Sequence, residues 1–264
     1  MAEELVHLEQ RGNVLLITLD RPEKMNALNA EMMAALETAW QRLRDDDGLL
    51  SAIVTGAGDR AFCSGRDLFA GAPGSIEYHR AQQEVGANGR RNERRWAPTE
   101  VWKPVIAAVN GYALAGGFAL ALACDFRIAA SGARLGSLAV KRNLLGAGQI
   151  VRLTRYVPFA KALEIVLLGD HISAEEAQAI GLVNAVVPQA QLLDTAFAWA
   201  EKLAKNGPLS VRASKEVAYK SLELPYSEAA RFEASMYERM LETEDVVEGH
   251  AAFRERREPV WKGR

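Results

Sequence analysis

The sequence predicts an α/β fold whose chain passes into a helical C-terminal region. Three observations carry this. A β-branched apolar run, an amphipathic helical pattern and a second apolar run succeed one another within the first 55 residues. Further short apolar runs recur as far as Val187, and from Gln189 onward the pattern is almost entirely helical. Strand, helix, strand is the alternation that favours a parallel sheet.

Residues 6–8 and 13–19 (NVLLITL) read as strands, and Arg21-Pro22 ends the second. Asn29 is placed to cap a helix, with Glu31 in the first turn complementing its dipole. Behind it Met32, Leu36, Trp40 and Leu43 recur at helical spacing, and Asp45-Asp46-Asp47-Gly48 stops the run. Residues 51–55 (SAIVT) form a short buried strand. Two glycine turns follow, at Gly56-Ala57-Gly58 and Ser64-Gly65, then a link at 71–75 and a polar helix expected over 76–96. Residues 105–109 (VIAAV) are the next strand, Asn110-Gly111 its turn, and a small-residue helix opens at Ala115 (AGGFALALA). Residues 127–130 read as strand and 150–168 as helix interrupted near Pro158. Ser173-Ala174-Glu175-Glu176 has the capping-box pattern, and Gly181 sits where that helix would end. Residues 183–187 are a short strand, and a further helix start is expected at Ser227-Glu228. The chain therefore divides into a 1–205 core and a 206–264 helical region, with the break near Asn206-Gly207-Pro208.

With 264 residues the chain is long enough for a sizeable core. A net charge of −2 gives no global field toward nucleic acid or membrane. The two cysteines, Cys63 and Cys124, indicate neither a disulfide framework nor a metal site. No signal peptide or apolar run of about 20 residues is present, so the expected setting is a reducing cytoplasm.

Chemistry is best sought where glycine opens the backbone. FCSGRDL (62–68) and NGYALAGGFALALACD (110–125) each bring peptide N–H groups to a turn, the second at a helix N-terminus. Glycine lets a ligand approach closely because no Cβ intervenes. Two such turns could jointly hold an oxyanion, with donors of this type contributing about 2.7–4 kcal/mol each to a transition state. Tight packing is the other reading of the same glycines.

Taken together, DRPEKMNALN (20–29), FCSGRDL, KPVIAAVNGYALAGGFALALACDFRIAA (103–130), ARLG (133–136), GAG…RLTR (146–155) and GDHISAEEAQAIGLVNAVVP (169–188) resemble the crotonase (enoyl-CoA hydratase/isomerase) superfamily, nearly end to end. The resemblance implies a spiral of ββα units with a C-terminal helical trimerisation region, a homotrimer or dimer of trimers. It implies an acyl-CoA thioester as partner, with coenzyme A part of the substrate and neither prosthetic group nor metal. It maps the two oxyanion amides to Arg66 and Gly116. Coenzyme A contacts map to Ser64, Gly65 and Asp67 at the first turn and to Lys24, Ala27 and Leu28 upstream.

The departures from the family pattern are as informative. The two hydratase glutamates fall at Ala119 and Ala139, and residues 140–149 (VKRNLLGAGQ) offer no displaced carboxylate. Alanine can neither position water nor deliver a proton, so hydration by a paired-glutamate route is not expected. His79 is the substitute proton carrier to consider, since it could titrate near neutral pH; an exposed helical histidine is the alternative. Gln149, being neutral, could at most orient water. Isomerisation, decarboxylation or thioester hydrolysis would need less than a glutamate pair. An acyl-CoA-binding pseudoenzyme or assembly subunit is the competing reading.

Overall fold

The computed structural model describes residues 5–67, 96–99 and 101–264. The helix expected over 76–96, and with it His79, falls outside the described residues except for Trp96.

Two sheets form the core. The larger has the order β1 (Val6–Arg11), β2 (Val14–Leu19), β3 (Ser51–Gly56), β5 (Val105–Val109), β7 (Phe126–Ala130) and β10 (Ala185–Val187). Only its β1–β2 pair is antiparallel. The smaller sheet pairs β4 (Ala61–Cys63), β6 (Tyr112–Leu114), β8 (Arg134–Gly136) and β9 (His171–Ser173). The chain alternates between them: β3 leads to β4, β5 to β6, and β7 to β8. This is a spiral of ββα turns. The four strands of the smaller sheet were not expected, because three residues are too few to display a period-two pattern. Gly136 at the end of β8 is forced, since a Cβ there would lie 2.7 Å from the His171 Cα.

The larger sheet buries both faces. Leu15, Ile17 and Leu19 of β2 point to one side, against Met32, Leu36, Trp40 and Leu43 of α1 (Ala30–Asp45). Val14 and Leu16, with Ile53, Ile106 and Ile128, meet Leu192, Ala196 and Ala200 of a helix covering the other side, Leu192–Ala204. The α1 cap is the expected one, with Asn29 Oδ1 accepting from the Met32 N–H at 2.8 Å.

The second helix, α2 (Gly116–Ala123), is the most deeply set: Gly117 to Ala123 are all buried. Its small residues are required by contact. A Cβ at Gly117 would lie 2.0 Å from the Cys63 carbonyl oxygen, so α2 rests directly on the β4 backbone. At its other end the buried Arg127 guanidinium donates to the Cys124 carbonyl at 2.7 Å, a cation at the negative helix end.

Pro158 divides the next helical stretch into α3 (Ile150–Tyr156) and α4 (Phe159–Leu168), as expected. Ser173 caps α5 (Ala174–Ala179) by accepting from the Glu176 N–H at 3.1 Å. The Glu176 carboxylate meets Lys161 at 2.5 Å. The β-strand expected over 183–187 shortens to β10. The helix covering the sheet is α6 (Leu192–Ala204), and α7 (Pro208–Ser221), α8 (Tyr226–Leu241) and α9 (Glu244–Glu255) complete the helical region. α8 begins one residue before the expected Ser227 start. Asp125, just beyond α2, anchors α7: it accepts from Lys215 at 2.6 Å, the Tyr219 hydroxyl at 3.0 Å and the Val105 N–H at 2.7 Å. Among the described residues no helix is long and apolar enough to cross a membrane.

Candidate functional site

The turn after β4 is built by backbone pairing with a segment about 40 residues upstream in the chain. Leu28 N–H donates to the Gly65 carbonyl at 2.8 Å, and Leu28 C=O accepts from Asp67 N–H at 2.9 Å. That single parallel bridge directs the Arg66 peptide N–H away from Leu28. Ser64 N–H donates to the Met25 carbonyl at 3.0 Å. Arg21 clamps the same two segments, donating to Ala27 C=O at 2.7 Å and to the Asp67 carboxylate at 3.0 Å. Both side chains of that ion pair are largely buried.

Two asparagines fix the loop that precedes β4. Asn26, fully buried in a left-handed conformation, donates to the carbonyls of Ala57 and Ala61 at 3.0 and 2.7 Å. Asn110 accepts from the Gly56 N–H at 3.1 Å and donates to the carbonyls of Gly56 and Gly58 at 2.9 and 2.8 Å. Sequence reasoning missed Arg21 and Asn26 as site-building residues and saw Asn110 only as a turn. The signal for Asn26 was its place in KMNAL, since asparagine tolerates the left-handed region that the turn demands.

The N-terminus of α2 meets this turn. Ala115, its N-cap, has φ 48° and ψ −113°, a conformation that costs an alanine about 1–3 kcal/mol. Its N–H donates to the Gly136 carbonyl at 3.0 Å, which ties it to β8. Gly116 follows as the first helical residue, so its N–H has no carbonyl partner within the helix. A Cβ at Gly65 would lie 2.9 Å from the Gly116 nitrogen, and one at Gly116 would lie 3.3 Å from the Arg66 nitrogen. Adding one N–Cβ span to the latter puts the two amide nitrogens no more than about 6 Å apart. An oxygen accepting from both at about 3 Å each needs that separation or less.

The other sequence-predicted positions distribute around this junction. Gly65 has φ 103°, which favours glycine. Ser64 and Asp67 are partly exposed, Lys24 is exposed in a 3₁₀ turn, and Ala27 and Leu28 are buried. The Leu28 backbone is engaged in the bridge to Gly65 and Asp67, and the Asp67 carboxylate by Arg21. Ala119 is buried in α2, and Ala139 opens a 3₁₀ turn, Ala139–Arg142. Among the described residues, Asp125 pairs with Lys215 and Tyr219, and Asp170 with Lys141 at 2.5 Å.

Cys63 is fully buried, and burial pushes its thiol up to about 12; Cys124 behaves alike. Neither is a nucleophile at neutral pH. Among the described residues no group of three or more His, Cys, Asp or Glu is arranged to hold a metal.

Comparison with known proteins agrees along the whole chain. Residues 9–264 match the family model described as Enoyl-CoA hydratase/isomerase. The (E)-benzylidenesuccinyl-CoA hydratase of Thauera aromatica is 40% identical over 260 residues, covering 98% of this chain and 99% of the relative. The carnitinyl-CoA dehydratase of Escherichia coli K12 is 42% identical over 272 aligned positions, covering 99% of each. An enoyl-CoA hydratase of Mycobacterium marinum superposes with a TM-score of 0.88 at 38% identity, covering 99% of this chain and 100% of that one. One from Bacillus anthracis gives 0.89 at 34%, with the same coverage. With the fold, the glycine junction and full-length relatives in agreement, this chain belongs to the enoyl-CoA hydratase/isomerase family, the crotonase superfamily.

Proposed function

We propose that the chain is an enzyme that polarises the thioester carbonyl of an acyl-CoA between the backbone amides of Arg66 and Gly116. In isomerisation or decarboxylation, electrons released at Cα by loss of a proton or of carbon dioxide delocalise onto that oxygen as an enolate. In thioester hydrolysis, water adds to the carbonyl carbon and the same amides hold the tetrahedral oxyanion until the coenzyme A thiolate leaves. The observation that carries the reading is the approach of the two turns, with 3.3 Å between the Arg66 nitrogen and a Cβ added at Gly116. Donors so fixed stabilise developing charge without reorganising. Lys24, Ala27, Leu28, Ser64, Gly65 and Asp67 flank this junction and are the coenzyme A contacts of the proposal.

The named relatives are a hydratase and a dehydratase of acyl-CoAs, which supports the substrate class. Alanine at 119 and 139 argues against the paired-carboxylate route for this chain. The proposed reaction is therefore double-bond isomerisation, decarboxylation or thioester hydrolysis, with His79 as candidate proton carrier. The division at 205/206 is part of the proposal, supported by the start of α7 at Pro208. So is a trimer or dimer of trimers, supported by exposed Tyr226, Tyr237 and Phe253 on α8 and α9. Light scattering on the eluting protein tests the latter.

The test of function is a mass-spectrometric screen with crotonyl-, 3-enoyl-, methylmalonyl- and aromatic acyl-CoAs. Turnover of any one, abolished in His79→Ala, supports the enzyme with that donor. Tight coenzyme A binding without turnover across the panel would favour a binding protein that has lost the chemistry.

A further inference from the structure

Two buried side-chain polar atoms among the described residues have no hydrogen-bond partner, Ser51 Oγ and Gln149 Oε1. Such orphans are rare because an unmade buried hydrogen bond costs stability, so each asks for an explanation. Ser51 begins β3, at the opposite end of that strand from the Gly56 turn. Gln149 is different. It is only 4% exposed, directly precedes α3, and has a second polar neighbour in Ser137, 1% exposed.

Gly146 brings the pair together. A Cβ on this buried glycine would lie 2.7 Å from Ser137 Oγ and 3.4 Å from Gln149 Oε1. The two oxygens are thus no more than about 6 Å apart, close enough for one small polar group to reach both. The position is tied to the candidate site. Ser137 directly follows Gly136, whose carbonyl accepts the Ala115 N–H at 3.0 Å at the start of α2. Two residues on is Ala139, the second position without its acid.

From this arrangement we infer that Gln149 and Ser137 form a neutral subsite for a hydroxyl oxygen beside the Gly136–Ala139 segment. The inference rests on the acyl-CoA reading above and deepens it. The chemistry selects the ligand. An orphaned carbonyl oxygen needs a donor, which neither a ketone nor an ionised carboxylate supplies. A buried cation there would need a countercharge, and the pair has none. A hydroxyl donates to one partner and accepts from the other, so it serves whichever way the amide is turned. Two sources share that chemistry: a hydroxyl on the acyl chain, and a water molecule held beside it.

The experiment compares 3-hydroxybutyryl-CoA with butyryl-CoA by titration calorimetry, in the full-length wild type and in Gln149→Leu. A wild-type preference of about tenfold for the hydroxylated thioester, collapsing to a ratio near one in the variant, assigns the subsite to an acyl hydroxyl. A wild-type ratio near one, with kcat on a turned-over panel substrate falling at least tenfold in Gln149→Leu at unchanged KM, assigns it to water. A preference that survives the substitution, or a ratio near one with no fall in kcat, overturns the subsite while leaving the acyl-CoA reading intact. Failure of the wild type to bind either thioester overturns both. The variant's Tm should equal or exceed that of wild type, because an orphaned polar atom is removed. Should Gln149→Leu fail to fold, Gln149→Met carries the same comparison.

Discussion

Gly116→Ala places one methyl group against the Arg66 amide, one of the two donors proposed for the thioester oxygen. Its carbon would lie 3.3 Å from the Arg66 nitrogen, 3.3 Å from Gly65 Cα and 3.5 Å from Gly65 C. These contacts are tight rather than overlapping, and a shift of a few tenths of an ångström relieves them. Alanine is also the better helix former, by up to about 1 kcal/mol. Stability should therefore change by no more than about 1 kcal/mol, a Tm shift of about 2–4 °C for a chain of this size. The catalytic effect is of another order. An oxygen accepting from both amides must sit about 2.7–3.1 Å from each nitrogen, so the shift that relieves the methyl carbon takes the Arg66 amide off that geometry. Loss of even one donor costs about 2.7–4 kcal/mol, or about 10²–10³ in kcat. The assay is kcat/KM on whichever panel substrate turns over, paired with scanning calorimetry. Gly117→Ala is the contrast: its Cβ would lie 2.0 Å from the Cys63 oxygen, so any kinetic loss should come with a large fall in Tm. If Gly116→Ala keeps kcat/KM within about threefold of wild type, the oxygen does not bind between these amides.

Two further substitutions probe the helical region. Lys215→Met leaves the Asp125 carboxylate its Tyr219 and Val105 donors but no countercharge, in a pair whose side chains are each 11% exposed. Breaking a buried pair from one side costs about 3–5 kcal/mol, so the urea midpoint should fall accordingly, and a change below about 1 kcal/mol would mean that α7 is not anchored there. Glu248→Gln concerns the C-terminal tail, where Glu248 accepts from Arg257 at 2.6 and 2.9 Å and from the Val260 N–H at 2.7 Å. The Arg257 hydrogen bond, then that of Val260, lowers the Glu248 carboxyl from 4.5 to about 2. A depressed folded-state pKa contributes stability above the unfolded value and loses it as pH falls from about 4.5 toward 2. The stability gap between wild type and Glu248→Gln should therefore be constant at neutral pH and close over that acid window. A gap unchanged down to about pH 2.5 in denaturation curves would show that the carboxylate contributes nothing there.

Much of the candidate site is legible in the residues themselves. FCSGRDL and ALAGGFALALA announce open backbone at two turns, because glycine's freedom is a property of the residue itself. The long strands and the α1 cap at Asn29 were equally plain, since their patterns repeat among near neighbours. The short strands β4, β6, β8 and β9 were not, since three residues carry no period. The Arg21–Asp67 clamp was hidden as well, because its partners are 46 residues apart and nothing local in either segment names the other.

Residue identity alone gives glycines at 65 and 116, alanines at 119 and 139, and the apolar runs of an α/β spiral. Those are statements about single residues and their neighbours, and local sterics and solvation suffice to read them. That the Arg66 and Gly116 turns meet, that Asn26 and Asn110 fix the loop leading into β4, and that Gln149 is buried beside Ser137 with an acceptor unmatched follows from the folded chain alone. Each of these depends on distance between segments remote in the chain. Packing sets that distance, and packing is a property of the whole fold.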